Sequence, residues 1–295
     1  MQSADFLSAV FFYLKEGENL NQNWIVENLN NAFSTWNGKL GELWGLVTTG
    51  PQTFKGGAVW SVMQTLHNGM VCIGYALVVL FFAISLCKNT MNFHELKRPE
   101  AAIHYFLRFV AAKALVGYGM DIMLNVFSIC NGIVTDMADS MGGISEAMVS
   151  LPAEMQTAIE NVGFLASIPL WLVTILGSLF ITVLSFVMIL TVYGRFFRLY
   201  MYTALAPLPL AAFAGESTQS VGISFLKSYV GVCLEGAVIV LACVIYSAFV
   251  STPTVASGEA TTIVWSFLAE TVFNMLVLVG LIKGSDRIIH EMMGL

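Results

Sequence analysis

Charged side chains are scarce in this sequence: Asp, Glu, Lys and Arg make up 11% of its 295 residues, against 57% hydrophobic. A soluble globular domain carries about a quarter of its residues charged, so the chain cannot present an ordinary water-facing surface. Two runs, 56–87 and 161–194, hold no charge at all. Each exceeds the roughly 20 residues that a helix needs to cross a hydrocarbon layer about 30 Å thick. Together with a mean hydropathy of +0.77, this excludes a soluble domain and gives an integral membrane protein.

Other absences narrow the function. The net charge is −6 and the pI about 5.2, so no basic patch supports tight nucleic-acid binding. The five cysteines, Cys72, Cys87, Cys130, Cys233 and Cys243, lie in apolar stretches without CxxC spacing, which predicts helix packing rather than a metal site or a disulfide framework. "HELKR" at 94–98 has the first half of a zinc-protease motif but puts Arg98 where the second histidine must stand. "GESTQ" at 215–219 lacks the final glycine of a nucleophile elbow. No GxxxxGK loop is present, so ATP-driven work belongs to a partner. The sequence thus predicts no catalytic, cofactor-binding or metal residues and no enzyme. The first residues have Asp5 ahead of their apolar part, no basic start and no clear small-residue cleavage site, so no cleaved signal peptide is expected.

What is present reads as helix throughout, an all-α polytopic fold. Residues 1–55 are polar and aromatic, and Val26, Leu29, Phe33, Trp36, Leu40, Leu43 and Val47 recur at steps of three and four, the seam of an amphipathic arm. Such an arm lies on the bilayer, packs against copies of itself, or covers its own membrane domain; Trp24, Trp36 and Trp44 suit the interface. Five spans follow at about 58–86, 106–134, 162–193, 221–250 and 263–282. Between the third and fourth lies "RFFRLYMYTALAPLPLAAFAGES", 195–217, a re-entrant or broken element placed at 196–215.

Basic residues near span ends mark the cytoplasmic side. Lys88, Lys97, Arg98, Arg108 and Lys113 flank the loop 88–100, whereas loop 136–160 has five acids and no base. The first loop is therefore inside and the second outside, and Arg195 and Arg198 return the chain to the inside. With an odd number of crossings the N-terminus is outside and the C-terminus inside; a kinked sixth span is the alternative. Pro207 and Pro209 lack backbone donors and disfavour helix in the residue before each. Ala204, Ala206, Ala211, Ala212, Ala214 and Gly215 suit close packing between helices, and an element of two short arms, each reaching about 12 Å, enters and returns on the cytoplasmic side.

Asp121, Glu235 and Glu270 stand within apolar segments, where an acid costs about 2.5–3.5 kcal/mol. They line a watery path or an interface, pair with Lys113 or Lys227, or take up a proton. Arg195 and Arg198, on one helical face, read as anchors to lipid headgroups, with Tyr193, Phe196, Phe197, Tyr200 and Tyr202 as an aromatic belt.

The external arm, the five spans, the acidic middle loop and above all "RFFRLYMY" with "ALAPLPLAAFAGEST" resemble the TrbL family, polytopic inner-membrane components of type IV secretion and conjugation machines. The versions on conjugative elements of Gram-positive bacteria are the most similar, over about 58–290. The resemblance implies a non-enzymatic channel or scaffold subunit in the bacterial cytoplasmic membrane. It would work as a ring of identical copies with other secretion-machine subunits and cytoplasmic ATPases, in transient contact with DNA or protein cargo. The rival reading is a secondary transporter of a small solute, because broken helices and intramembrane acids also build solute sites. Such a fold should show two related halves with matching interruptions, and one interruption is legible.

Overall fold

The computed structural model describes residues 2–90, 99–140, 148–160, 162, 164–249 and 260–294. Among them every regular element is helical: α1 (Gln2–Thr48), α2 (Ala58–Thr90), α3 (Pro99–Gly117), α4 (Gly119–Ser140), α5 (Ala153–Glu160), α6 (Phe164–Leu205), α7 (Pro207–Ala211), α8 (Gln219–Phe249) and α9 (Ala260–Met293). Short 3-10 turns, Phe54–Gly57 and Ala212–Ala214, precede α2 and follow α7. Among the described residues four stretches are long and apolar enough to cross a membrane: Phe54–Lys88, Ser167–Leu205, Gln219–Ala248 and Thr262–Met293. The bent pair Ile103–Gly117 and Gly119–Asp139 makes a fifth if taken as one span. The protein is an all-α polytopic membrane protein. Parts of the three loops expected between spans, 91–98, 141–147 and 250–259, lie outside the described residues.

Two boundaries differ from the sequence reading. The segment 106–134 is not one straight span but two helices bent by 72° around Tyr118. Gly117 and Gly119 flank the bend, and glycine holds a helix weakly. The element placed at 196–215 starts later, because α6 continues through its arginines and aromatics to Leu205. At 42 residues and 1.5 Å per residue, α6 is about 63 Å long, well beyond one crossing.

The chain packs as two compact units. The first comprises Met1–Trp44, Met141–Thr191 and Leu241–Lys283. In it α1 buries Ile25, Leu29, Phe33, Trp36, Leu40 and Leu43, so the expected seam exists, with Ile25 in place of Val26 at its start. The partners lie in the same chain. Phe33 meets Phe267 edge-on at 6.3 Å, and Asn28 donates to Ser178 Oγ at 3.2 Å. Asn37 makes a two-way amide pair with the backbone of Val149, at 2.8 and 3.0 Å. From Ile25 onward the buried stripe of the arm packs on its own chain. Trp36 sits in that core, while Trp24 is exposed and lies against Trp171.

The second unit comprises Gly45–Ser140, Val192–Val240 and Gly284–Leu295. Its core gathers Val78, Val116, Met123, Phe127, Leu199 and Tyr229 around Ala206, Leu210, Ala211 and Ala214. The small residues after α6 thus form the centre of a core, packed on α2 and α3.

Candidate functional site

The last carbonyls of a helix have no intrahelical donor, and α1 has no basic residue in its last turn. Its end is closed partly by its own last threonines and partly from elsewhere in the second unit. Gly45 O accepts from the hydroxyls of Thr48 and Thr49, and Leu46 O from Thr49 N. Thr48 O accepts from Asn131 Nδ2, and Val47 O from Arg195. The Arg195 guanidinium also donates to Val232 O and Cys233 O of α8, at 3.4 and 3.3 Å. It is 1% exposed. Gly236 makes room for it, since a β-carbon there would stand 2.7–2.8 Å from three guanidinium atoms. Arg195 is therefore not a headgroup anchor: it pins the end of α1 and the middle of α8 to α6.

One helical turn on, a single terminal nitrogen of Arg198 bridges both carboxylate oxygens of Glu235 at 2.7 Å. Its other terminal nitrogen donates to Asp286 of α9. Ser285 Oγ donates to Glu235 Oε1 at 3.1 Å. Glu235 is buried and Ser285 fully so. The partner of Glu235 is thus Arg198 rather than Lys113 or Lys227, and Arg198 is not a headgroup anchor either. The aromatics around the arginines divide. Phe196 stacks on Phe54 at 4.1 Å, and Tyr200 donates to Pro51 O at 2.8 Å. Phe197 is exposed, as an aromatic belt requires.

Asp286 and Ser285 lie beyond the last span read from the sequence, 263–282, and were not singled out there. A signal was available. The buried stripe of α9 runs Phe267, Thr271, Asn274, Leu278, Ile282, Ser285 and Ile289, an unbroken helical period carried past the span.

At the proline break the expected geometry is revised. Ala206 precedes Pro207 yet stays helical, at φ −48° and ψ −40°, because it is fully buried in the core and packing overrides the local preference. What Pro207 removes is the N–H that would bond the carbonyl four residues back, Thr203 O. That carbonyl is taken by buried His67 of α2, whose Nδ1 lies 2.7 Å away. Because a carbonyl only accepts, Nδ1 carries the proton. His67 thus satisfies the acceptor that the proline leaves.

The direction of the element follows from its contacts with α2. His67 meets Thr203, Gly74 meets Pro207, Phe81 meets Gly215 and Ser85 meets Glu216 N. Both numberings rise together. Residues 67–85 advance about 27 Å along α2, and 203–216 keep pace at about 2 Å per residue, the rise of a 3-10 helix. The stretch is therefore a broken continuation of α6 that runs once along α2, not a hairpin that enters and returns. The chain reverses after Gly215, before α8. Glycines allow the approach: a β-carbon on Gly74 would stand 2.9 Å from Pro207 O, and one on Gly215 3.1 Å from Phe81 O. Pro209 lies within α7, where it removes a second helical donor.

The remaining acids are not gathered into this cluster. Asp121 sits in the first turn of α4, where the helix dipole favours an acid, rather than in mid-span. It is exposed and lines a cavity of the second unit. Glu270 is an exposed residue of α9 in the first unit. Neither has an ion pair among the described residues. Among those residues no group of three or more His, Cys, Asp or Glu could hold a metal ion.

The sequence matches the family described as TrbL/VirB6 plasmid conjugal transfer like protein over residues 36–207. No curated protein and no solved structure matches the chain. The match starts inside α1, earlier than the resemblance legible at 58, and ends at Pro207, short of Gly215, Glu235 and Glu270. It takes in Asp121, Arg195, Arg198 and the start of the break. With more than half of its length matched, the chain belongs to the TrbL/VirB6 plasmid conjugal transfer-like family.

Proposed function

We propose that this membrane protein is a channel or scaffold subunit of a conjugative type IV secretion machine, helping DNA or protein cross the bacterial cytoplasmic membrane. The family match over 36–207 carries this reading. The geometry supports the scaffold side of it: Arg195, Arg198 and Glu235 are engaged in holding α1, α6, α8 and α9 to one another. We read it as a non-enzymatic subunit that works as a cyclic oligomer beside other membrane subunits and the ATPases that drive transfer. Its acidity suits a conduit whose contact with nucleic acid is transient. Deleting the gene from its conjugative element should abolish transfer to a recipient, and supplying the wild-type gene in trans should restore it. Undiminished transfer after deletion would overturn the reading.

One observation favours the alternative, a small-solute transporter. The bend at Tyr118 is a second interruption, and paired interruptions build solute sites. Here the two breaks stand against each other, with Leu210 beside Gly119.

The orientation in this reading is N-terminus outside and C-terminus inside. In a background whose only native cysteine is the exposed Cys87 at the end of α2, a membrane-impermeant maleimide should react only after cells are opened. In a cysteine-free background, Glu154→Cys or Glu160→Cys, both exposed in the 136–160 region, should react on intact cells. The reverse pattern would invert the topology.

A further inference from the structure

The first unit carries two unlike surfaces side by side. Residues 171–186 of α6 belong to the charge-free run 161–194, and every exposed residue among them is apolar, with Leu179, Phe180 and Val183 at the centre. This is the face of a span that meets lipid. Residues 24–42 of α1 run beside it in the same direction. Trp24 lies against Trp171 at 5.7 Å, Asn28 donates to Ser178 Oγ, and Lys39 Nζ stands 6.0 Å from the ring centre of Phe186. From the first of these contacts to the last both helices advance the same number of residues, about 22 Å of rise, which is most of a hydrocarbon layer about 30 Å thick.

Over that length the two helices show opposite faces. The exposed residues of α1 from 27 to 41 are Glu27, Asn30, Asn31, Ser34, Gly38 and Gly41, one helical face at steps of three and four without a large apolar side chain. Beside it Lys39 and Glu42 form an ion pair at 2.6 Å, with the two side chains 30% and 34% exposed. The seam continues the polar surface: a groove of 360 Å³ has Asn28, Asn31 and Thr35 on its α1 side and Ser178 and Thr182 on its α6 side.

Lipid does not suit such a face. An ionised side chain in a span costs about 2.5–3.5 kcal/mol, and an amide without a hydrogen-bonding partner adds to that cost. A neighbouring helix with an apolar face like that of α6 would leave Asn30, Asn31 and the open side of the ion pair unanswered. Water answers all of them. We propose that the exposed face of α1 from Glu27 to Gly41 lines an aqueous path sunk among apolar spans, while the exposed face of α6 beside it is turned to lipid. Lys39 is the only base of residues 24–48 and is paired with Glu42, so this wall offers a passing polyanion no cation to hold it. The proposal deepens the channel side of the secretion reading, and rests on it for the copies or subunits that close the path.

The test is thiol labelling in a cysteine-free version of the full chain, in membranes of broken cells that carry the conjugative element, so that both sides are open to reagent. Asn30→Cys, Ser34→Cys and Gly38→Cys place the thiol on the α1 face, and a β-carbon at Gly38 meets nothing within 4 Å. Leu179→Cys and Val183→Cys place it on the α6 face. A charged methanethiosulfonate is applied first, and its reaction is read as the block of later labelling by a fluorescent maleimide in denaturant. The α1 thiols should react at least about tenfold faster than the α6 thiols, because the thiolate that reacts forms in water and not in lipid. The α6 thiols should react with a membrane-soluble maleimide. The proposal is overturned if the α1 thiols react no faster than those of α6. Both slow would put lipid or another protein over the face, and both fast would put the whole unit in water. Loss of transfer on gene deletion does not depend on where α1 stands, so this proposal and the secretion reading fail separately.

Discussion

Arg198→Ala is expected to destabilise the second unit by about 3–5 kcal/mol, the range for removing one partner of a buried ion pair. The side chains are unequal. Glu235 is 1% exposed whereas Arg198 is 27% exposed, so losing the arginine leaves a carboxylate that cannot reach water and keeps only the Ser285 hydroxyl as a donor. Losing the glutamate is milder, because Arg198 still has Asp286 and some access to solvent. Arg198→Ala should therefore lower the melting temperature in detergent more than Glu235→Ala does. The double replacement Arg198→Met with Glu235→Leu should recover most of the loss, since apolar residues of similar volume commonly match a buried ion pair in stability. Equal melting temperatures for wild type and Arg198→Ala would show that the cluster holds nothing together.

The same cluster shows what could be read from the sequence and what could not. The spans were legible because a charge-free run longer than a bilayer is thick has few other uses. The α1 seam was legible because a helix must bury one stripe whatever covers it. Pro207 and Pro209 announced a break because the lost donor is a property of the residue itself. The readings that failed depend on a distant partner. Arg195 and Arg198 stand at the end of a charge-free run, where lipid headgroups and buried carbonyls attract a guanidinium equally well. Only the proximity of Val47, Val232, Glu235 and Asp286 decides between them. The direction of the break was hidden for a related reason: the prolines say that the helix stops, whereas Gly74 and the alanines around 206–214 decide which neighbour the chain follows. The bend at Tyr118 did leave a signal in its flanking glycines, but one easily outweighed by the hydropathy around it.

A final expected result concerns His67 and Pro207 as a pair. His67→Leu removes the donor to Thr203 O while keeping an apolar side chain in the space. A buried acceptor left without a partner costs about 1–3 kcal/mol, so this replacement alone should lower stability by that amount. Pro207→Ala restores the N–H whose natural acceptor in a continuing helix is Thr203 O, and in that background the histidine has less to satisfy. The two replacements should therefore not add: losing His67 should cost less in the Pro207→Ala background than in the wild type, with a coupling of about 0.5–3 kcal/mol from a double-mutant cycle. Pro207→Ala also lets α6 extend into the space where α7 lies against Gly74, so it should impair conjugative transfer more than it impairs expression. Strict additivity in the melting temperatures would mean that the histidine and the proline act separately. Unchanged transfer in Pro207→Ala would mean that the break along α2 is a feature of packing alone.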